Sequence, residues 1–176
     1  MADIIIDGTS VISKTDSTVT YNAGTIGNNI VFPAGHVIQT KYAESTTATS
    51  VTSTTQGSGS TTGLSVSITP TSTSNKLLLN YVGSVMLANH ANPGVSIEIY
   101  DGTSVVATQN GTWGIYINGD GSEYDNQYRY PFLAQFTPAS AGSPITYTVR
   151  AWKTGNTVTF QENSKLSAIV IQEIQQ

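Results

Sequence analysis

Residues 63–82 read Gly-Leu-Ser-Val-Ser-Ile-Thr-Pro-Thr-Ser-Thr-Ser-Asn-Lys-Leu-Leu-Leu-Asn-Tyr-Val and carry the clearest fold signal in the chain. Leu64, Val66 and Ile68 alternate with Ser and Thr, a period of two that is typical of a β-strand with one buried face. Pro70 cannot donate a hydrogen bond to a neighbouring strand, and the hydroxyl-rich run after it favours a turn. The stretch therefore predicts a strand, a turn and a second strand.

The second strand is predicted to extend from Leu77 to Leu87. Tyr81, Val82 and Val85 favour strand structure, and no capping residue marks the start of a helix. Because most positions in this run are apolar, we expect a central strand that is buried on both faces.

Similar patterns recur along the rest of the chain. Asp101-Gly102 is the signature of a tight hairpin between two of the predicted strands. Roughly nine or ten short strands separated by turns indicate a sandwich or jelly roll. The sequence therefore predicts an all-β fold, an antiparallel, jelly-roll-like β-sandwich over residues 36–176. The further strands are predicted at residues 36–42, 95–100, 104–108, 128–136, 145–152, 158–161 and 166–174.

Residues 44–63 form a tract that is rich in Ser, Thr and Gly. Within it, residues 50–55 are predicted to form a polar edge strand and residues 56–60 a flexible loop. A phosphorylated tract is the functional alternative.

Residues 1–35 contain short apolar pieces separated by turn signals such as Asp7-Gly8 and Pro33-Ala34-Gly35. Strands this short cannot close a core on their own. One interpretation is an extended N-terminal β arm or stem that intertwines in an oligomer or docks on another protein. The alternative is an N-terminal strand that belongs to the sandwich.

Three segments stand out together: Phe32-Pro-Ala-Gly-His-Val-Ile-Gln39, Thr62-Gly-Leu-Ser-Val-Ser-Ile-Thr-Pro70 and Ser72-Thr-Ser-Asn-Lys-Leu-Leu78. They resemble a group of short virion proteins of tailed phages, especially marine and cyanobacterial ones, of the fibre or surface-decoration kind. The resemblance covers roughly residues 30–90 and supplies no catalytic or receptor-contacting residue. It implies a non-enzymatic structural role at the virion surface, contact with other virion proteins through the arm, and a homotrimer.

Composition argues against several other classes of function. Charged residues are 10% of the chain and the net charge is −4, so no basic patch is available for nucleic acid. No apolar run is long enough to span a membrane, and the N-terminus lacks the pattern of an export signal. The absence of cysteine excludes disulfides and thiolate metal sites.

The chain offers little for catalysis. The side chains that titrate near neutral pH are His36 and His90, each beside turn residues and without the spacing of a metal site. Asp120, Glu123 and Asp125 could form the carboxylate pair of a glycosidase, but a Gly-rich loop does not favour the raised pKa of an acid catalyst. We therefore expect no enzyme activity, no cofactor and no catalytic or metal-binding residue.

The loop from Trp113 to Asp125 is the candidate binding site. Its oxygen-bearing side chains faintly match a calcium loop, whereas its aromatic and amide side chains resemble surfaces that bind sugars. We expect it to lie exposed at the end of the sandwich and to contact a receptor such as a host-surface glycan. The alternative function is a free carbohydrate-binding module. The predicted contact residues are Trp113, Tyr116, Asn118, Asp120 and Tyr124.

Overall fold

The computed structural model describes residues 2–6, 9–15, 18–21, 33–88, 94–109, 114–116, 125–155 and 157–176. The chain divides into two compact units, Met1–Phe32 and Pro33–Gln176.

The first unit contains a three-stranded antiparallel sheet. Strands β1 (Ala2–Ile6), β2 (Thr9–Thr15) and β3 (Thr18–Tyr21) follow one another in the sheet in chain order. The register between β1 and β2 shifts between Ile4 and Ile5. The short apolar pieces seen in the sequence thus pair with one another, and their role as an arm or stem stays a prediction.

The second unit is built almost entirely of strands, and the one helix among the described residues is a 3-10 turn at Glu162–Ser164. Its strands are β4 (Val37–Ser45), β5 (Thr49–Ser50), β6 (Ser60–Ile68), β7 (Lys76–Ala88), β8 (Gly94–Tyr100), β9 (Val105–Thr108), β10 (Ile115–Tyr116), β11 (Asp125–Phe136), β12 (Ile145–Thr154), β13 (Val158–Phe160) and β14 (Ser167–Ile174).

The strands form two antiparallel sheets. The first sheet has the order β4-β14-β7-β11. In addition, β13 pairs with the C-terminal part of β7, and β5 pairs with β13. The second has the order β6-β12-β8, with β9 and β10 both pairing with β8. Successive long strands alternate between the sheets except at the β8–β9 hairpin. This strand order is that of a jelly roll, which confirms the predicted fold class.

The core lies between the two sheets. Leu64, Val66 and Ile68, whose alternation predicted the first strand, are all buried in it. The side chains that point inward from the facing sheet interdigitate with them, as in other sandwiches. The largest fully buried side chains are Tyr81, Tyr130, Tyr147, Phe160, Ile68, Leu77, Leu79, Leu87, Ile97, Ile99, Ile169 and Ile171.

Strand β7 is central, as predicted, but the prediction that both of its faces are buried is wrong. Leu77, Leu79 and Tyr81 are fully buried, whereas Val82 is 38% exposed and Asn80 is exposed on the opposite face. An apolar sequence does not by itself supply a layer to cover that face, and no described strand packs over it.

Both faces of β8 are buried, although its alternation predicted a half-buried strand. Ser96 and Glu98 point outward from the second sheet, yet both are 0% exposed. The segment before β6 covers Glu98: the Gly57 and Gly59 amides donate to its two carboxylate oxygens, at 2.8 and 2.9 Å. This segment belongs to the Ser/Thr-rich tract, whose predicted edge strand at residues 50–55 is in fact confined to Thr49–Ser50.

Strand β11 forms one edge of the first sheet. Ser84 of β7 directs its backbone amide to Ser167 and its carbonyl to the Gln161 amide, both away from β11. The neighbouring residue, Gly83, therefore faces β11 and pairs with Tyr130, so the nitrogen of Pro131 points toward the open edge. A proline at this position removes one donor from the edge without weakening the ladder.

Candidate functional site

Tyr116 is the predicted contact residue that the structure describes in full. It lies in β10, which pairs with the first residues of β8, and its side chain is 48% exposed. The neighbouring Ile115 packs against the core. The short strand therefore anchors one side chain in the core and presents the next one outward, as the prediction for Tyr116 requires.

Gly114 fixes the start of this strand. Its amide donates to the Val95 carbonyl and to the Ser96 hydroxyl, both at 3.0 Å. A Cβ atom at Gly114 would lie 1.6 Å from the Tyr130 hydroxyl and 2.2 Å from Oε1 of Gln109. Neither of these two buried oxygens has a hydrogen-bond partner among the described residues, and burial raises the pKa of Tyr130.

The other predicted contact residues, Trp113, Asn118, Asp120 and Tyr124, lie outside the described residues, as do Glu123 and His90. The side chain of Asp125 is likewise not described, although its backbone belongs to β11. Receptor or sugar contact by this loop stays a prediction, and calcium binding and a carboxylate pair stay alternatives that the described residues do not test.

His36 is exposed beside the chain terminus, where its carbonyl accepts from the Gln175 amide at 2.9 Å. Within the described ranges, no group of three or more His, Asp or Glu side chains could hold a metal ion. The described part of the chain also contains no helix that could cross a membrane.

Glu173 is a buried carboxylate that the sequence did not single out. Its Oε1 accepts from the Thr71 amide at 2.8 Å, the Thr71 hydroxyl at 2.9 Å and the Asn75 amide group at 2.7 Å, and the Gln39 amide group donates to Oε2. Burial raises the pKa of Glu173, but these hydrogen bonds outweigh burial and hold it below the ordinary value. A carboxylate held ionised by four donors acts as an anchor and is poorly suited to proton transfer.

A groove of about 400 Å³ lies between the edges of the two sheets. It is lined by Val105–Thr108 of β9 and Phe132–Gln135 of β11 and contains no titratable side chain. Sequence reasoning missed it because it depends on which strands form the sheet edges, and alternation within a strand does not report that order.

No protein-family model matches the sequence, and no curated protein matches it. Among solved structures, the chain is similar to the VP2 subviral particle of infectious bursal disease virus, with 13% identity and a TM-score of 0.48 over 94% of this chain and 41% of that one. For the Gx strain of the same virus the values are 14%, 0.42, 99% and 46%. The chain thus spans less than half the length of these proteins. At these scores the likeness does not bear on what the chain does.

Proposed function

We propose that the chain is a non-enzymatic structural protein of a tailed-phage virion surface, a fibre-like or head-decoration subunit. The jelly roll is compatible with this role, because viral capsid and lectin domains share it, but a fold alone does not specify a function. The proposal therefore depends on where the phage-like segments lie in the fold.

The observation that carries the proposal is that these segments meet in one corner of the jelly roll. Gln39, from the first segment, donates to the Thr69 carbonyl of the second at 2.7 Å. Asn75 belongs to the third segment, and both Gln39 and Asn75 donate to Glu173. The first segment thus joins the second and third in one hydrogen-bonded framework, which supports a shared structural role over a shared catalytic loop.

The test is to locate the protein in the virion. An antibody against the purified chain is expected to label particles of the phage that encodes it, and a cryo-EM map is expected to contain density that fits residues 33–176. Density that follows the head lattice would identify a decoration protein, and density at the tail a fibre. Particles that neither bind the antibody nor contain the density would refute the proposal.

Within this proposal, the first unit docks the subunit on another virion protein or joins copies into a trimer. The observation that supports it is that residues 1–32 form a unit of their own. A chain of that size with its own three-stranded sheet buries little surface by itself and gains stability from a partner. Light scattering on the full chain tests the trimer, which a monomeric protein at micromolar concentration would contradict.

Carbohydrate binding is the second candidate function, and the exposed Tyr116 favours it. A tyrosine ring that is 48% exposed beside the start of β8 can stack on the apolar face of a sugar. A glycan array probed with the isolated protein is the test. A binding signal that Tyr116→Ala removes would support this function, and a flat response would exclude it.

A further inference from the structure

The outer face of the first sheet carries apolar side chains from four adjacent strands, beside the polar residues Thr40, Glu44, Asn80, Gln135 and Gln172. Tyr42 is 56% exposed and Leu133 is 65% exposed, and they are among the most exposed large hydrophobic residues described. We call this surface the apolar face. Its members are Tyr42, Leu78, Val82, Pro131, Leu133, Ala168 and Val170.

The outer face of the second sheet has the opposite character. Ser67 and Thr146 form a hydroxyl pair there at 2.6 Å, and the Arg150 guanidinium lies 3.6 Å from the centre of the Tyr100 ring. Ser65 is exposed on the same face. One outer face of the sandwich therefore suits contact with water, whereas the other is of the kind that marks an interaction surface.

The strand register places the apolar face in rows. One row contains Tyr42, Val170, Asn80 and Leu133, from β4, β14, β7 and β11 in that order. The next row contains Glu44, Ala168, Val82 and Pro131. Tyr42 and Leu133 thus occupy opposite edges of the same row.

We infer that the apolar face packs against the same face of a second copy, around a two-fold axis parallel to the strands. Such an axis places β4 of one copy over β11 of the other and keeps each row opposite itself. Tyr42 of each copy then packs on Leu133 of the other copy. The two most exposed apolar side chains of the face cover each other twice.

The charges at the edges of the face fit the same arrangement. Glu44 lies on β4, where it accepts a hydrogen bond from the Tyr42 hydroxyl. Arg129 lies on β11 one row beyond Pro131, and its guanidinium donates to the Leu166 carbonyl at 2.5 Å. The axis brings Glu44 of each copy within one row of Arg129 of the other, about 7 Å along the strand. Residues of opposite charge therefore lie in adjacent rows at both ends of the contact, which favours a second copy over an unrelated apolar partner.

The size of the face is sufficient for a modest interface. Four strands spaced about 4.8 Å apart and a length of eight residues give about 500 Å² per copy, or about 1,000 Å² in the pair. This total reaches the lower limit of specific interfaces, about 1,000 Å². The inference uses this surface alone and does not depend on the proposed virion role.

The experiment is sedimentation velocity on the full chain over a range of micromolar concentrations. A two-fold contact predicts an even number of chains, two if the face acts alone and six if the predicted trimer also forms. Leu133→Lys is expected to weaken the pairing at least about tenfold, because the new charge enters the contact twice. Ser65→Lys, an exposed position on the opposite face, is the matched control and should leave the pairing unchanged.

A charge exchange tests the symmetry itself. Glu44→Arg and Arg129→Glu are each expected to weaken pairing several-fold, and the double variant to restore it, since the pair is then re-formed across the axis. Thermal melts of every variant establish that it is folded. A wild-type protein with an odd number of chains, an unchanged Leu133→Lys variant, or a double variant weaker than both single ones would overturn the inference.

Discussion

Gly83 shows how a single residue limits the packing of the core. A Cβ atom built there would lie 2.1 Å from the hydroxyl oxygen of Tyr81 and 2.6 Å from its Cζ. Tyr81 is fully buried and its ring cannot move without displacing neighbouring core side chains. Gly83→Ala is therefore expected to lower the free energy of unfolding by about 1–3 kcal/mol in urea denaturation.

The matched control is Ser65→Ala, an exposed position on the outer face of the second sheet. It is expected to change the free energy of unfolding by less than about 0.5 kcal/mol, because no packing is altered. Equal effects of the two substitutions would contradict the contact between Gly83 and Tyr81.

Tyr116 allows the binding prediction to be separated from stability. Since its ring is 48% exposed, Tyr116→Ala is expected to leave the melting temperature nearly unchanged while reducing attachment to the receptor-bearing cell or glycan. Trp113→Ala is the companion test: a ring that contacts a receptor gives the same result, whereas a core ring would cost about 3–5 kcal/mol of stability. Binding assays and thermal melts of both variants are the measurements.

Part of the behaviour of these individual residues can be predicted from the sequence. The exposure of Tyr116 follows from its place among turn formers and polar side chains, which can be read locally. The role of Gly83 cannot, because it depends on the direction in which the Tyr81 ring lies. Glu173 was missed for a similar reason: its donors come from two parts of the chain that are distant from it in sequence.

At the scale of elements, Glu98 joins the Ser/Thr-rich segment to β8. Glu98→Ala would leave the amides of Gly57 and Gly59 without their acceptor, at a cost of about 1–3 kcal/mol. We expect faster hydrogen exchange at these two amides. The Gly63 amide, which donates to Thr61, should be unaffected.

Glu98→Gln is the graded variant. The two amides bind different carboxylate oxygens, so a glutamine can satisfy only one of them and should give an intermediate result. Exchange rates that are the same in the wild type and both variants would show that Glu98 does not hold the segment in place.

Glu173 predicts a pH dependence of stability. Its pKa is lower in the folded than in the unfolded chain, so the stabilisation is complete above the ordinary value of 4.5 and is lost as the pH falls through that value toward the folded pKa. Glu173→Gln should flatten this part of the curve relative to wild type. Urea midpoints measured from neutral to acidic pH test it, and parallel curves would contradict the prediction.

The elements themselves were largely predictable. Alternation of apolar residues located β6, β8 and β12, because a period of two is a local property of an extended chain. The burial of the outer faces was not predictable. A loop distant in the sequence covers Glu98 on the outer face of β8, whereas Asn80 and Val82 on the outer face of β7 are exposed. The strand predicted to be half-buried is therefore buried on both faces, and the strand predicted to be buried on both faces is not.

At the scale of the whole molecule, the division at residue 32 predicts independent folding of the jelly roll. Residues 33–176 contain every described member of the core, so deleting residues 1–32 should leave a cooperative thermal transition close to that of the full chain. Circular dichroism and calorimetry are the measurements. A deletion variant that does not fold would show that the first unit is needed for the core.

The open edge at β11 has a consequence for how copies can meet. A twelve-residue edge would otherwise pair with a strand of another copy. Repeated pairing of this kind would give open-ended fibrils at high protein concentration. Pro131 interrupts the row of outward donors near its middle and disfavours this growth. The proline thereby disfavours fibril formation through the edge of the sheet. Association through the faces of the sheets, which ends at a fixed number of copies, is then the favoured route to an oligomer.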